Sequence, residues 1–223
     1  MRHKRKGYVP ALGYDYLTLL YDPLVRITTR EMAFKHRLVE EARVDEAHRL
    51  LDVGCGTGTL LILVRERSQS AIAMGLDGDA QVLKIATSKT DKHAQEIILV
   101  EAFSFAIPFA DCSFDRVLSS LMFHHLTRSE KVRTLREIFR VLRPGGELHV
   151  SDWGRPHNLL MRALSLPVRL WGLKRTADNV RGLLPDLFRN AGFEGVSEGA
   201  RFATLFGTLS LYKGRKPDST GAA

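Results

Sequence analysis

Glycines at alternate positions mark the segment of this chain that is best suited to hold a ligand. Residues 50–60 read LLDVGCGTGTL, and Gly54 and Gly56 lie where an apolar strand passes into a helix. A residue without a Cβ lets the backbone turn sharply and lets a ligand touch the main chain. The free amides at the helix start would then donate hydrogen bonds. The pattern predicts a ligand-binding loop, although a tight turn without a ligand would use the same glycines.

Acidic residues on either side of this loop indicate the kind of ligand. Asp77 ends the next apolar run, 23 residues after Gly54, where a carboxylate can accept two hydrogen bonds from a ribose diol. Asp52 precedes the glycines, and its charge would repel a pyrophosphate but attract an ammonium group. The G-x-G-x-G spacing also differs from the G-x-G-x-x-G of dinucleotide loops. These features favour an adenosine joined to an amino acid over NAD.

Two histidines and a further aspartate follow later apolar runs and could act on a second substrate. His124 and His125 follow one run, in SSLMFHHL, and Asp152 ends another. Strand ends of a doubly wound sheet meet at the edge where ligands bind, so either histidine or Asp152 could serve as a general base. Adjacent histidines are expected to point in different directions, which makes them a poor metal chelate. The alternative is that these histidines are structural or solvated.

An α/β fold would bring these strand ends together. Apolar runs alternate with stretches of helical spacing, which is typical of a doubly wound parallel sheet covered on both faces. The predicted strands are residues 49–54, 71–77, 96–100, 114–120, 147–153, 196–203 and 205–213. The predicted helices are residues 14–28, 30–44, 57–67, 80–89, 129–142 and 176–191.

The 223 residues are expected to form one domain, residues 1–223, with five parts. An N-terminal helical lid would be followed by a ligand-binding core, a basic apolar insert, a C-terminal helix with a hairpin, and a loose tail. The predicted bounds of these parts are residues 1–45, 46–153, 154–176, 177–213 and 214–223.

The positive charge of the chain is concentrated in two places. The formal net charge is +8. Residues 1–7 and the basic apolar insert contain no acidic residue, and their basic residues together exceed this net charge. The rest of the chain is therefore close to neutral. The insert contains HNLLMRALSLPVRLWGLKR, an apolar stretch whose charges are all positive. Such a segment could lie on an anionic membrane, or it could be a lid with solvated arginines. Nucleic acid is a disfavoured partner because no aromatic residues alternate with the bases.

Several protein classes are excluded by composition. No apolar run approaches the roughly 18 to 20 residues of a membrane span, and no apolar stretch follows the basic start, so a secretory signal is not expected. Two cysteines, Cys55 and Cys112, imply neither a disulfide framework nor a metal site. Collagen-like, coiled-coil, repeat and disulfide-rich proteins are excluded in the same way. The expected location is the cytoplasm, with peripheral contact at a membrane surface as an option.

Between residues 48 and 153 the chain resembles the class I S-adenosylmethionine-dependent methyltransferases. The resemblance rests on LLDVGCGTG, on Asp77, on IPFADCSFDRVLSS (107–120) and on LREIFRVLRPGGELHVSDW (135–153). It implies a Rossmann-like sheet of seven strands in the order 3-2-1-4-5-7-6, with the seventh antiparallel. The implied cofactor is S-adenosylmethionine, with S-adenosylhomocysteine as product. The resemblance implies cofactor contacts from Tyr21, Asp52, Gly54, Cys55, Gly56, Asp77, Gly78, Phe103, Ser104, Ser119 and Ser120.

One position departs from the family's pattern. Many relatives have an Asp where this chain has Phe103, in VEAFSFAIPF, and that Asp holds the adenine amino group. The adenine could instead stack on Phe103 and bind the backbone amide of Ser104, or Phe103 could be part of the core. A protein that binds the S-adenosyl ligand without catalysis is therefore kept as an alternative.

The N-terminal segment indicates which substrates the resemblance favours. Its sequence, GYDYLTLLYDPLVRITTRE, is similar to the tyrosine-rich lid of quinone and phospholipid methyltransferases. This similarity implies that Tyr14 or Tyr21 lies near the sulfonium, although these aromatics could simply pack on the core. Methyl transfer needs a base only when the acceptor keeps its proton near neutral pH, and the candidates are His124, His125, Asp152 and Tyr14. The predicted acceptor is small and apolar or lipid-like: a quinone, a phenol or a phospholipid amine. Methylation of tRNA or protein is disfavoured because no Asn-Pro-Pro-Tyr-like motif follows the fourth strand. The oligomeric state is left open.

Overall fold

A seven-stranded sheet forms the centre of the computed structural model, which describes residues 31–92, 97–166 and 175–218. The strand order is β3-β2-β1-β4-β5-β7-β6, and β7 runs antiparallel to both of its neighbours. The predicted order and the antiparallel seventh strand are confirmed. The strands are β1 (Arg49–Val53), β2 (Ile72–Asp77), β3 (Ile97–Glu101), β4 (Phe114–Ser120), β5 (Leu142–Trp153), β6 (Glu194–Thr204) and β7 (Gly207–Arg215).

Helices cover both faces of the sheet, which explains why the central strands are apolar on both sides. One core lies between the sheet and α1 (Glu31–Glu41), α2 (Thr59–Arg67) and α3 (Ala80–Lys92). The other lies under α4 (Arg128–Val141) and α7 (Leu184–Asn190). Two short helices, α5 (Leu159–Leu164) and α6 (Ala177–Val180), follow β5.

The parallel strands bring the candidate residues to one edge of the sheet. Strands β1, β2, β4 and β5 run in the same direction, so Val53, Asp77, Ser120 and Trp153 all end at that edge. A 3-10 turn, Phe123–His125, follows β4 directly. Helix α4 begins after this turn with a capping box, in which Thr127 and Glu130 bind each other's backbone amides. The start of α4 is thereby fixed beside the histidines.

Two predicted elements were wrong in their extent. The helix predicted over residues 176–191 is divided into α6 and α7, because Gly182 has φ +75° and breaks the helical path between them. Strand β5 begins at Leu142 and not at residue 147. The Pro-Gly-Gly sequence reads as a turn, but Leu142 already pairs with Phe114, and an irregularity in the register absorbs the proline and the glycines.

Parts of the predicted organisation lie outside the described residues. These include the helix over residues 14–28, Tyr14, Tyr21 and most of the basic apolar insert's second half. Within residues 31–92, 97–166 and 175–218, no helix has the length and apolar character that crossing a membrane requires. The boundaries of the five parts stay predictions.

Candidate active site

The glycine-rich loop is tied to the end of β2. The amides of Gly54 and Cys55 both donate to the carbonyl of Leu76, over 2.7 and 3.0 Å. Gly54, Gly56 and Gly58 all have positive φ, at 75°, 53° and 76°, a conformation that side chains with a Cβ disfavour. The sequence LLDVGCGTG therefore folds into a loop that favours glycine at these three points.

Two of these glycines serve different purposes. A Cβ on Gly54 would lie 2.4 Å from Cγ of Met122, so the close approach of the β4 end already requires glycine there. Among the residues that the structure describes, none has an atom within 4 Å of a Cβ on Gly56. The described part of the chain leaves this side of Gly56 open, and it is the part of the loop that a ligand could fill.

Asp77 is held against this loop by main-chain hydrogen bonds. Its Oδ2 accepts from the amide of Gly56 over 3.0 Å, and its Oδ1 accepts from the amide of Asp79 over 3.0 Å. Burial raises the pKa of this carboxyl, while these two amides oppose the rise. Each oxygen has remaining capacity to accept a ribose hydroxyl.

Asp52 is a buried acid, and one of its oxygens lacks a partner within the described part of the chain. Only 1% of its surface is exposed, and Oδ1 accepts no hydrogen bond from the residues that the structure describes. Burial raises the pKa of Asp52 from 3.8 to about 7, with Lys35 opposing the rise and Asp77 adding to it. An ammonium group from a ligand would satisfy Oδ1 and stabilise the carboxylate. Together with the open space at Gly56, this acid fits an adenosyl group that carries an amino acid.

The residues predicted to lie around the adenine, and the cysteine of the loop, are packed against other parts of the protein. Phe103 stacks on Phe105 with ring centroids 5.2 Å apart, and a Cβ on Gly78 would lie 3.1 Å from Phe103 Cδ1. Cys55 is buried, and burial raises the pKa of its thiol, so its sulfur is not a nucleophile. Phe103, Gly78 and Cys55 as cofactor contacts stay predictions.

Three predicted serines use their hydroxyls within the protein. Ser104 Oγ lies 2.9 Å from Thr134 Oγ1, and Ser119 Oγ donates to the carbonyl of Val53 over 2.8 Å. Ser120 accepts from Ser151 over 3.1 Å. Any contribution of Ser104 or Ser119 to a ligand would have to come mainly through the backbone.

The structure brings His124 and Asp152 together as a hydrogen-bonded pair. His124 Nδ1 lies 2.9 Å from Asp152 Oδ1, and the His124 amide donates to Oδ2 over 3.2 Å. The amide of Trp153 donates to Oδ1 over 2.7 Å. Asp152 has no exposed surface, and these hydrogen bonds together with the charge of His124 lower its pKa despite its burial. With Nδ1 engaged, Nε2 of His124 is the ring nitrogen that could take a proton.

His125 lies beside His124 without sharing its role. The two ring centroids are 4.0 Å apart, so the expectation that these side chains diverge was wrong. The charge of His124 and burial lower the pKa of His125 to about 3, which keeps its ring neutral near pH 7. Among the residues that the structure describes, no three His, Cys, Asp or Glu side chains are grouped to hold a metal.

A buried lysine and its partners near this turn were missed by sequence reasoning. Lys131 has no exposed surface, lies 3.6 Å from Asp178 Oδ2 and donates to the carbonyl of Arg175. Arg175 in turn donates to the carbonyl of His125 over 3.0 Å. The sequence did contain a signal that Lys131 is buried, because it lies four residues before Leu135 and seven before Ile138, on the buried stripe of α4. These contacts join the end of the basic insert to the histidine turn.

Comparisons with known proteins agree with this geometry. A family model described as a methyltransferase domain matches residues 50–146. Demethylmenaquinone methyltransferase of Thermus thermophilus is 34% identical over 138 residues, which are 61% of this chain and 62% of that protein. The enzyme of the same name from Anoxybacillus flavithermus is 26% identical over 85% of this chain and 86% of its own length. The first match thus spans less than two thirds of the relative.

A solved structure shares the fold at low sequence identity. Phosphoethanolamine N-methyltransferase 2 of Haemonchus contortus, in complex with phosphomonomethylethanolamine and S-adenosylhomocysteine, superposes with a TM-score of 0.73. The two sequences are 15% identical over 93% of this chain and 58% of that chain. At this identity the likeness concerns the fold alone.

Proposed function

We propose that the chain is a class I S-adenosylmethionine-dependent methyltransferase and that it methylates the ring of an apolar quinol. The observation that carries the proposal is the His124–Asp152 pair at the sheet edge where acceptors of this fold bind. A ring hydroxyl keeps its proton near neutral pH, with a pKa of about 10 for a phenol. An acceptor of this kind needs a base, whereas an amine with a free lone pair does not.

Residues of the loop would hold the cofactor's charged and polar groups. Asp52 would accept from the ammonium group, Asp77 from the ribose hydroxyls, and Gly56 would leave room for the ligand against the main chain. When bound, S-adenosylmethionine supplies an electrophilic methyl group on a sulfonium. The unpartnered oxygen of Asp52 supports this assignment, because a buried carboxylate oxygen without a donor is costly unless a ligand satisfies it.

His124 would act as the general base. Its Nε2 would accept the proton of the ring hydroxyl, which raises the electron density of the ring and makes a ring carbon nucleophilic towards the methyl group. Loss of the proton from the methylated carbon then restores the aromatic ring, and the imidazolium returns its proton to the ring oxygen, so that His124 is neutral again. The carboxylate of Asp152 would stabilise the imidazolium that forms. Its hydrogen bond with Nδ1 orients the ring, and the one it accepts from the His124 amide fixes the backbone that carries the ring. Because Asp152 is fully buried, this electrostatic stabilisation is weakly screened by solvent.

The relatives support a quinol over the other predicted acceptors. Two of the similar proteins are named for methylation of demethylmenaquinone. Candidate substrates can therefore be compared in one assay that measures transfer from radiolabelled S-adenosylmethionine to a 1,4-naphthoquinol with a free ring position, to a simple phenol and to phosphatidylethanolamine. We expect product on the quinol. Transfer only to the lipid amine would contradict the proposal, and tight S-adenosylhomocysteine binding without any transfer would favour the non-catalytic alternative.

We propose further that the chain meets this acceptor at an anionic membrane surface. Large apolar side chains are exposed on α5 and just after it, and on the turn that joins β6 to β7. This docking face consists of Leu159, Leu160, Leu166, Leu205 and Phe206, which are 82%, 63%, 48%, 63% and 42% exposed. The two parts are neighbours, because a Cβ on Gly207 would lie 3.2 Å from Ser165 Cβ.

The positive charge of the neighbouring segment supports anionic lipid as the partner of the docking face. Residues 154–176, which include α5, carry basic side chains and no acidic ones. Each basic residue near an anionic bilayer contributes about 1 kcal/mol of attraction, and exposed leucines add apolar burial at the interface. An apolar patch with a basic border is typical of peripheral membrane contact.

A further inference from the structure

Lys35 is a buried lysine on α1, the helix that precedes β1 and the glycine-rich loop. Its ammonium pairs with Glu31, one turn earlier on the same helix. An ammonium group has three N–H donors, so Lys35 keeps the capacity to bind further acceptors. Lysine is seldom buried unless its charge is used, because removing that charge from water is costly. The position of this ammonium therefore indicates which ligand group it could meet.

The first half of α1 lies at the edge of the sheet that carries the candidate site. The ring of Phe34 contacts that of Phe202, with centroids 6.3 Å apart. Phe202 pairs with Leu209 across β6 and β7, and Leu209 pairs with Trp153, the residue that ends β5 at this edge. Lys35 is the residue after Phe34, so it lies at the same edge.

The end of α1 lies at the opposite edge of the sheet. There the carbonyl of Ala42 accepts a hydrogen bond from Arg116 Nε over 2.9 Å, and Arg116 pairs with Leu50 near the start of β1. Helix α1 therefore runs antiparallel to β1. Lys35 precedes Ala42 by seven residues, or about 10 Å of helix. Asp52 follows Leu50 by two residues, or about 7 Å of strand, so Lys35 and Asp52 are at a similar level along the sheet.

Asp52 also points to the face of the sheet that α1 covers. Side chains alternate between the two faces of a strand, so Asp52 shares its face with Leu50. Leu50 belongs to the apolar cluster that includes Phe34 of α1. Burial raises the pKa of Asp52 and of the Cys55 thiol, and the positive charge of Lys35 opposes both rises. The ammonium and the acid therefore lie on the same side of the loop and act on each other.

We propose that the Lys35 ammonium binds the carboxylate of the cofactor's amino-acid group, while Asp52 accepts from its ammonium. This inference rests on the proposed function and adds a partner for the one charged group of the cofactor that the loop residues leave unassigned. The ammonium and the carboxylate of an amino acid are attached to the same carbon, so their protein partners must lie close together with opposite charges. A carboxylate held beside Asp52 would be repelled by it and needs a positive partner. Lys35 is a specificity-determining residue, because this carboxylate distinguishes the intact cofactor from nucleosides that lack the amino acid.

The test measures by calorimetry how the wild type and Lys35→Met bind three ligands. These are S-adenosylhomocysteine, its decarboxylated analogue, which keeps the ammonium, and 5′-methylthioadenosine, which has neither charged group. We expect the wild type to bind S-adenosylhomocysteine about 10- to 100-fold more tightly than the decarboxylated analogue, since hydrogen bonds between charged groups are the strong ones. In Lys35→Met this difference should disappear, while the Kd of 5′-methylthioadenosine stays within about twofold of the wild-type value. Lys84→Met, on the exposed surface of α3, is the matched control and should keep the difference.

Two results would overturn the inference. An equal loss of affinity for all three ligands in Lys35→Met would mean that the lysine supports the shape of the loop and does not bind the carboxylate. Lys89 is a second lysine near the loop, and its ammonium donates to Thr59 over 2.6 Å. Loss of the discrimination in Lys89→Met and not in Lys35→Met would assign the carboxylate to Lys89. If Lys35→Met fails to fold, Lys35→Gln replaces it, because an amide can still donate to Glu31, and the discrimination should weaken in the same direction.

These measurements need no methyl acceptor, so they separate this inference from the proposed function. If the wild type shows the expected discrimination but methylates no quinol, the proposed acceptor fails and the assignment of Lys35 stands. If the wild type binds no S-adenosyl ligand, both fail. If the wild type methylates quinols and Lys35→Met equals it with all three ligands, only the inference about Lys35 fails.

Discussion

At the scale of single residues, the site depends on how burial changes the chemistry of ordinary side chains. His124 and Asp152 lie 28 positions apart in the chain, and a carboxylate with no exposed surface meets an imidazole nitrogen at 2.9 Å. His125, in the next position, is kept neutral by the same surroundings. Two adjacent histidines therefore lie in different chemical surroundings, which their sequence alone does not distinguish, and we expect them to have different roles.

Removing the charge of Asp152 should impair turnover without affecting the cofactor. Asp152→Asn leaves the imidazolium of His124 without its counter-charge, and we expect kcat for the quinol to fall about 100-fold or more. The Kd of S-adenosylhomocysteine should stay within about twofold of the wild-type value, since Asp52, Gly56 and Asp77 are untouched. Steady-state kinetics and calorimetry measure the two quantities. Unchanged kcat would contradict the assignment of the pair.

His125 gives a test that depends on pH. Its pKa is lowered from 6.5 to about 3 in the folded chain, so between these values the unfolded chain holds a proton that the folded chain does not. Stability should therefore fall as pH drops from 6.5 towards 3. His125→Gln should reduce the change of Tm with pH in this range while leaving the pH profile of kcat intact. His124→Gln should instead lower kcat for the quinol strongly, and the reverse assignment would be indicated if the two variants exchanged these effects.

We expect Asp52 to lower the stability of the cofactor-free protein and to strengthen cofactor binding. Its pKa is raised from 3.8 to about 7, so the folded chain holds a proton that the unfolded chain has lost between these values, and stability falls as pH rises through this window. Asp52→Asn should raise the Tm at pH 8 without cofactor and weaken S-adenosylhomocysteine binding by about tenfold or more. Asp91→Asn, on the exposed surface of α3, is the control. A lower Tm and unchanged binding would show that Asp52 serves the fold alone.

At the scale of elements, the sequence predicted the sheet well because apolar runs and glycine turns are local signals. The failures have two kinds of cause. Gly182 is a local break, at positive φ, within one helical pattern, whereas β5 extends through a Pro-Gly-Gly segment because Leu142 pairs with Phe114 of another strand. The buried pair of Lys131 and Asp178 joins elements far apart in the chain. Partners of this kind become visible only when the elements are packed.

The glycine loop and the β4 end should be coupled through one contact. Gly54→Ala would bring a Cβ to 2.4 Å from Met122 Cγ at a positive φ, and we expect it to cost about 1 to 3 kcal/mol of unfolding free energy. Met122→Ala should relieve part of this cost in the double variant, as chemical denaturation of the four proteins would measure. Gly56→Ala should show no coupling with Met122 and should instead weaken cofactor binding. Additive effects of Gly54→Ala and Met122→Ala would contradict the contact.

At the scale of the whole molecule, the apolar docking face lies on the surface, and the sequence places the charge excess in residues 1–7 and 154–176. Glutamate or serine substitutions there should alter where the protein binds and leave the fold intact. The double variant Leu205→Ser and Phe206→Ser is expected to reduce co-sedimentation with vesicles of anionic lipid several-fold at low salt. Ile72→Ser with Ile98→Ser is the matched control, because these isoleucines are 46% and 50% exposed on β2 and β3. Equal loss in both pairs would mean that the binding is not specific to the docking face.

The antiparallel seventh strand has a consequence for how the molecule would search for its substrate. Because β7 runs against β5, Leu209 pairs with Trp153, and the turn that bears Leu205 and Phe206 projects beyond the edge where His124 lies. A parallel seventh strand would have sent its apolar turn to the opposite edge. A bilayer touched by this turn would face the catalytic edge, so an acceptor that hardly dissolves in water would reach His124 by lateral diffusion. If the proposed membrane contact holds, the direction of one strand replaces a search through three dimensions by one in two.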